Sequence, residues 1–302
     1  MSIYRFIDAE KASYPVSALC RVLRVSRSGY YEWRGRPPSN RDRENATLTE
    51  RIREIHQLSR GTYGYPRVHA ELRALGVRCN RKRVARLMQK DGLQGCIRGR
   101  RTKRTTRQDP LAIPAPDLVE RNFCAPAPNR VWTADITYLL TEEGFLYLAF
   151  ILDVYSRKVV GWSMANHLRS ELVAAALEMA IRRRNPSVGL IHHSDRGAQY
   201  TALSFGRKLE KAGIVPSMSR VGSALDNAIS ESFVSTLKSE IGVGRYPTRQ
   251  AARASTFEFI ELFYNRERRH SSLGYLSPAE YEQAILEEEA AVPVKFCKLV
   301  SR

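Results

Sequence analysis

The stretch Trp132-Thr133-Ala134-Asp135-Ile136-Thr137-Tyr138 sets one carboxylate in an apolar, strand-like run, and Leu190-Ile191-His192-His193-Ser194-Asp195 repeats the arrangement further along the chain. Both aspartates stand at or near the end of such a run, where open α/β sheets gather their loops and sites. A third acid, Glu231, lies in Asp226-Asn227-Ala228-Ile229-Ser230-Glu231-Ser232-Phe233, a segment with helical spacing. With Ile229 at zero on a helical wheel, Phe233, Leu237 and Ile241 fall at roughly 40°, 80° and 120°, a single apolar stripe. Asn227, Lys238 and Glu231 fall at roughly 160°, 180° and 200°, so Glu231 and Lys238 share the polar side opposite the packing face. Two strand ends and one helix can therefore bring three carboxylates together. That donor set suits a hard divalent cation such as magnesium, which takes oxygen ligands and keeps positions for phosphate and water.

The elements predicted around these acids alternate in type. Val131–Leu140, Phe145–Leu152 and Lys158–Ser163 form three successive strands, with a turn at Glu143-Gly144. Ser170 is expected to cap a helix with Leu172, Val173, Ala176, Leu177, Ala180 and Ile181 on one face. Leu190–His193 is a fourth strand leading into Asp195, Thr201–Ala212 a helix closed by Gly213, and Ile214–Met218 a fifth strand that Pro216 assigns to a sheet edge. Gln250–Arg269 forms a last helix, and the acidic run Glu287-Glu288-Glu289 belongs to a tail. Periodicity alone specifies a mixed α/β layer.

The front of the chain is all helical in pattern. Val16, Leu19, Cys20 and Leu23 recur at helical spacing, and Ser26 offers an N-cap to a second helix carrying Tyr30, Tyr31 and Trp33, a compact helix-turn-helix. In such a motif the second helix enters the major groove with its early residues at base edges, which assigns that position to Arg27 and Ser28. Arg36-Pro37-Pro38-Ser39-Asn40 breaks the helix. A second helical unit follows, with Leu48, Ile52, Ile55 and Leu58 on one face of its first helix, a turn at Gly61–Pro66 and a second helix at Arg67–Leu75. Asn80 caps a third, with Val84, Leu87 and Met88 inward and Arg81, Lys82, Arg83, Arg86 and Lys90 outward. Arg98, Arg100, Arg101, Lys103, Arg104 and Arg107 then crowd together without any apolar period, the pattern of a flexible basic linker.

Charge separates the two halves. Residues 1–129 hold 27 Lys/Arg against 12 Asp/Glu, a net of +15 out of the chain's +18. A basic front ahead of a nearly neutral remainder indicates a polyanion gripped by the front, in preference to a merely solvated surface or a membrane patch. Such contacts to phosphate make binding steeply salt-dependent. The five cysteines are scattered and unpaired in spacing, which argues against a disulfide framework and against a zinc knuckle. The longest apolar run, Phe145–Leu152, is too short to span a bilayer, and Met1–Glu10 lacks the features of a signal peptide. A cytoplasmic, nucleoid-associated protein is expected, with no membrane partner.

The three acids and their surroundings resemble the catalytic core of retroviral-integrase-like transposases, whose triad is Asp, Asp and then Glu with 35 residues between the last two. Here residues 196–230, 35 in all, separate Asp195 from Glu231, and Lys238 stands seven positions after the Glu, as is typical. More narrowly, the chain is similar to the catalytic frame of bacterial insertion sequences in the family named after insertion sequence three. The matching phrases are Trp132-x-x-Asp135-Ile136-Thr137-Tyr138, His193-Ser194-Asp195-x-Gly197-x-Gln199-Tyr200, and Tyr264-Asn265-x-x-Arg268-Arg269-His270-Ser271-Ser272-Leu273-Gly274-Tyr275.

The resemblance implies an α/β chain: a ribonuclease H-like core, with a mixed five-stranded sheet and flanking helices, preceded by all-α helix-turn-helix modules. The expected division is 1–40 helix-turn-helix, 41–97 second helix-turn-helix, 98–121 basic linker, 122–285 catalytic core and 286–302 tail. It implies a DNA transposase that binds the terminal inverted repeats of a mobile element and performs metal-dependent strand cleavage and transfer. Asp135, Asp195 and Glu231 would be catalytic and would hold two Mg2+ ions, with Mn2+ able to substitute, while Lys238 contacts DNA near the transposon end. Double-stranded DNA is the implied partner, with a homo-oligomer on paired ends and an upstream-frame protein as further partners. The match assigns no metal to Asp153, a turn or strand-end residue on this reading, and Asp226 is taken as a helix cap. His192 and His193 are taken as hydrogen-bonded structural residues, and Gln199 and Tyr200 as DNA-facing or supporting the site. Arg268, Arg269 and His270 either bind DNA or pair with core acids.

Overall fold

The computed structural model describes residues 3–96, 114–120, 124–219, 228–241 and 244–291. By packing, the chain divides into two compact units, Met1–Glu54 and Ile55–Arg302. The first contains α1 (Ile3–Glu10), α2 (Val16–Val22) and α3 (Arg27–Gly35) around a small core of Ile7, Cys20 and Tyr30. Ser26 caps α3 as its sequence requires, its hydroxyl accepting from the Gly29 amide at 2.9 Å. The helix α1 has no counterpart in the pattern analysis, because two turns are too short to show a period. It adds Tyr4 and Ile7 to the core, and its Asp8 accepts a hydrogen bond from the Tyr30 hydroxyl at 2.9 Å.

Helix α4 (Asn40–Leu58) runs across the division between the units. Leu48, Ile52 and Ile55 are buried as expected, but Leu58 is 79% exposed. As the last residue of α4 it falls off the stripe, roughly 120° around the helix from Ile52. In the second unit, α5 (Tyr65–Ala74) takes Pro66 in its first turn and buries Val68 and Leu72. Asn80 caps α6 (Arg81–Lys90) by accepting from the Lys82 amide at 2.8 Å, and Val84, Leu87 and Met88 face inward.

Five strands make one sheet: β1 (Val131–Thr141), β2 (Gly144–Asp153), β3 (Val159–Ala165), β4 (Ile191–Ser194) and β5 (Val215–Met218), in the order β3-β2-β1-β4-β5. The three early strands pair antiparallel, and β4 and β5 add in parallel on the other side of β1. Pro216 does lie on an edge strand. Between β3 and β4 comes α7 (Ser170–Arg184); Ser170 is its first helical residue and Arg169 the N-cap position, without a side-chain cap. The single helix expected at Thr201–Ala212 is two, α8 (Ala198–Thr201) and α9 (Leu203–Lys211).

Alternation along the strands sends two sets of side chains to two layers. Trp132, Ala134 and Ile136 of β1 join Leu172, Val173, Ala176 and Leu177 of α7, with Phe205 and Leu209 of α9, in the main core. Gly161 of β3 is required here: a Cβ at that position would stand 2.3 Å from the Ala176 carbonyl oxygen, so α7 seats directly on the strand. The opposite face carries α10 (Ala228–Glu240) and α11 (Arg249–Phe257), where Leu139, Leu146 and Ala252 form a second cluster.

The helix expected to run to Arg269 changes form. After α11 the chain winds as a π-helix over Glu258–Tyr264, burying Phe259, Ile260, Phe263 and Tyr264, and then leaves the helix. The cause lies at Asn265, whose side-chain amide accepts from the Val159 amide at 2.9 Å and donates to the Val159 carbonyl at 3.0 Å, so it extends the sheet past edge strand β3. A further helix, α12 (Pro278–Ala291), occupies the segment that pattern left as Ser277-Pro278 and a tail. Its Glu282 ties Lys158 and Arg184 to it at 2.8 Å each. Among the described residues no helix is long and apolar enough to cross a membrane.

Gly161→Ala is expected to cost about 1–3 kcal/mol of stability, because neither the strand nor α7 can retreat without opening the core. Urea unfolding of the purified protein measures it.

Candidate active site

Asp135 sits in the middle of β1, five residues in, and not at its end as the apolar pattern suggested. What ends is its neighbour. Strand β4 pairs with β1 only through Val131–Ile191, Trp132–His192 and Thr133–His193, and stops at Ser194. Carried two residues further, the same register brings Asp195 level with Asp135, on adjacent strand paths about 4.8 Å apart. Beyond that point β1 continues, paired with β2 and bridged at Thr141 to Tyr246, and the chain leaves β4 at its carboxyl end, the place where parallel strands expose sites.

Parity decides which layer Asp135 faces. It pairs with Phe150 of β2, and cross-strand partners share a face. Phe150 lies 4.6 Å, centroid to centroid, from Phe233 of α10. Thr133, two residues before Asp135 on the same face, shares a buried hydrogen bond of 2.9 Å with Ser230 of α10. Ser230 immediately precedes Glu231, so one hydroxyl contact ties the strand bearing Asp135 to the helix bearing Glu231. Neither Thr133 nor Ser230 was singled out from the sequence; the signal available was the small polar residue next to Glu231 on the packing side of its helix.

The electrostatics agree with this geometry. Burial, then the charge of Asp195 and that of Glu231, push the Asp135 carboxyl up to about 7, with the Ile136 amide and Lys238 opposing. The Ile136 amide donates to Asp135 at 2.7 Å, and the Gly197 amide donates to Asp195 at 3.0 Å. Glu231 is exposed on the first turn of α10. Lys238, half-buried on the same helix, rests 4.6 Å from the centre of the Tyr138 ring; burial lowers its ammonium and the charge of Asp135 raises it. Among the described residues no group of three or more His, Cys, Asp or Glu side chains is gathered at metal-ligand spacing, so these acids approach one another without forming a closed cage.

The surrounding residues separate into clear roles. Asp153 is fully buried and accepts from the amides of Asn129 and Tyr155 at 2.7 and 2.9 Å, with Arg184 3.8 Å away, a strand-end residue as expected. His192 packs among Tyr200 and Phe205, and burial, with His193 beside it, holds it down at about 4, hence neutral. His193 bonds through Nδ1 to the Ser217 hydroxyl at 2.9 Å, so both histidines are structural. Tyr200 is 3% exposed, in the main core. Its phenol is raised by burial and then by the charges of Asp135 and Asp195. Gln199 donates to the Leu168 carbonyl at 2.9 Å.

Arg268 and Arg269 both pair with acids, Glu240 and Glu71 respectively, and the partly buried His270 ring stands edge-on to Tyr264 at 4.9 Å. Arg27 and Ser28 stand exposed at the start of α3; Arg81, Lys82 and Arg86 are exposed along α6, with Arg83 half-exposed. Arg98, Arg100, Arg101, Lys103, Arg104, Arg107 and Asp226 lie outside the described residues.

Comparison with known proteins places this architecture. Residues 125–224 and 212–278 each match a family described as an integrase core domain, and residues 42–101 match an HTH-like domain. An uncharacterized 31 kDa protein of insertion element IS600 from Shigella sonnei is 44% identical over 266 residues, 88% of this chain and 97% of that protein. The transposase InsF for insertion sequence IS3A of Escherichia coli (strain K12) is 39% identical over 282 residues, 92% of this chain and 98% of InsF. A chain of the simian T-cell lymphotropic virus intasome superposes with a TM-score of 0.43 at 13% identity, covering 83% of this chain and 80% of that one. Set beside the strand order and the three acids, the identity along nearly the whole length of both insertion-sequence proteins decides the assignment: the chain belongs to the IS3 family of insertion-sequence transposases, with an integrase-type core behind an HTH-like region.

Proposed function

We propose that this transposase cuts and joins DNA at Asp135, Asp195 and Glu231, and that these carboxylates hold a pair of Mg2+ ions, for which Mn2+ can substitute. The observation that supports the reading is the β1–β4 register, which carries Asp195 toward Asp135 where β4 stops, with Asp135 pushed up to about 7 by burial and by the charges of Asp195 and Glu231. The donor set is all oxygen and its excess negative charge is opposed by one lysine, which is the chemistry a hard cation relieves. Bound there, the ions would supply Lewis-acid activation of the attacking oxygen and neutralise charge on the leaving oxygen.

The chain's own groups do the rest. Asp135 is held within β1 and Asp195 follows directly on β4, while the Thr133–Ser230 contact ties β1 to the helix that carries Glu231. Lys238, on the same helix, meets a DNA phosphate beside the acids. Arg27 and Ser28 on α3, and Arg81, Lys82, Arg83 and Arg86 on α6, hold the terminal repeats, with Arg98, Arg100, Arg101, Lys103 and Arg104 adding phosphate contacts. A homo-oligomer brings paired ends together, with the upstream-frame protein as a further partner.

Glu231→Gln keeps size and fold and removes one ligand charge. Joining of labelled end DNA in Mg2+ should fall by about a thousandfold or more, the several kcal/mol that such stabilisation supplies, while gel-shift binding persists. Joining at the wild-type rate would refute the assignment. Asp135→Asn tests the charge balance without DNA. A carboxyl raised from 3.8 to about 7 in the folded state binds its proton more tightly there, so the folded protein loses stability as pH rises through that window. In metal-free buffer Asp135→Asn should therefore melt higher than wild type at pH 8 and match it near pH 4; a lower melting temperature at pH 8 would contradict the electrostatics.

A further inference from the structure

Arg268 and Arg269 are neighbours in the chain and fasten different parts of the second unit. The Arg268 guanidinium donates from Nε to both oxygens of Glu240 at 3.0 Å and from Nη2 to Oε1 at 2.6 Å, with both side chains almost wholly buried. Glu240 is the last residue of α10, nine positions after Glu231 and so roughly 14 Å along the helix axis. Arg269 reaches the HTH-like segment: Nε donates to Glu71 of α5 at 2.7 Å and Nη2 at 3.3 Å. Its amide donates to the Tyr63 hydroxyl at 2.7 Å, and its carbonyl accepts from Arg67 at 2.9 Å.

More contacts reinforce the same junction. Arg60 pairs with Glu258 of the π-helix at 2.5 Å and lies over the Phe263 ring at 5.3 Å. Cys96 meets the Ser239 carbonyl of α10 at 3.5 Å. The helix α6, with exposed Arg81, Lys82, Arg86 and Lys90, packs on α5 and so moves with it.

We propose that Arg268 and Arg269 form a double clasp that joins α5 and α6 to the site helix as one ruler, so that the distance from DNA gripped by α6 to the cut phosphodiester is set by packed protein and not by the chain between them. The inference rests on the reading of Asp135, Asp195 and Glu231 as the cutting site. A ruler of this kind determines where the cut falls, whereas the carboxylates determine whether it occurs. Breaking the Arg269 side of the clasp should therefore change the position of cleavage without removing the chemistry.

The test uses the full chain on labelled end DNA with Mg2+, with cut positions mapped to the nucleotide. Two variants are compared with wild type: Tyr63→Phe, which keeps the ring and loses the hydroxyl's bonds to the Arg269 amide and the Glu267 carbonyl, and Tyr63→Phe combined with Glu71→Ala. Wild type is expected to cut at one phosphodiester; the variants should bind the same DNA and spread their cuts onto neighbouring phosphodiesters, the double variant more than the single. Cuts that stay at the wild-type position in both variants overturn the ruler. A wild-type protein that neither cuts nor joins sinks the underlying reading of the site instead, and the two failures are thereby told apart.

Discussion

The unequal length of two paired strands is the constraint from which the site follows. Strand β1 spans eleven residues and β4 only four, and their parallel register leaves Asp135 and Asp195 side by side where the shorter strand has stopped. A one-residue slip would turn Asp135 into the α7 layer and bring Ala134 out in its place. Trp132, Ala134 and Ile136, locked into the main core, forbid that slip. The position of Asp135 is thus maintained by apolar side chains on the other face of its strand.

Two aspartates of the sheet, one buried and one partly so, differ in how their charge is met. Burial raises both Asp153 and Asp135. Asp153 answers with two backbone amides and Arg184, all supplied by the protein, so its charge is met from within. Asp135 has one amide and a half-buried lysine against two neighbouring acids. The first is a fastening between strand, loop and helix; the second is a carboxyl whose surroundings favour its neutral form. Sequence context set them apart only through resemblance, since both follow apolar runs of similar character.

Much of the fold was legible because its signals are local. The alternation in β1 and β2, the edge-seeking Pro216, and the caps at Ser26 and Asn80 each state their structure within a few residues. What escaped depends on partners distant in the chain. The helix from Gln250 keeps an apolar period as far as Tyr264, and nothing local announces that it winds as a π-helix or that Asn265 will serve the edge of β3, 106 residues earlier. Tyr200 sits among polar residues in the sequence yet is drawn into the core by the short α8 turn. For the candidate site, residue type, spacing and resemblance nominated the acids, while the Thr133–Ser230 contact that ties their strand and helix together became visible only once helix and strand were seen together.

The Arg268–Glu240 pair bears on why so polar a junction persists inside the protein. A buried ion pair gives little net stability, because desolvating two charges offsets most of their attraction, and well-packed apolar residues often serve as well. Its value lies in discrimination: a guanidinium bonded to both oxygens of one carboxylate permits a single rotation and a single depth for α10, where leucines would allow several. The proposed role of Glu231, beside Asp135 and Asp195, gives that restriction a use. Apolar packing at Phe233 and Leu237 presses the helix onto the sheet, and the ion pair at its far end determines how it lies there.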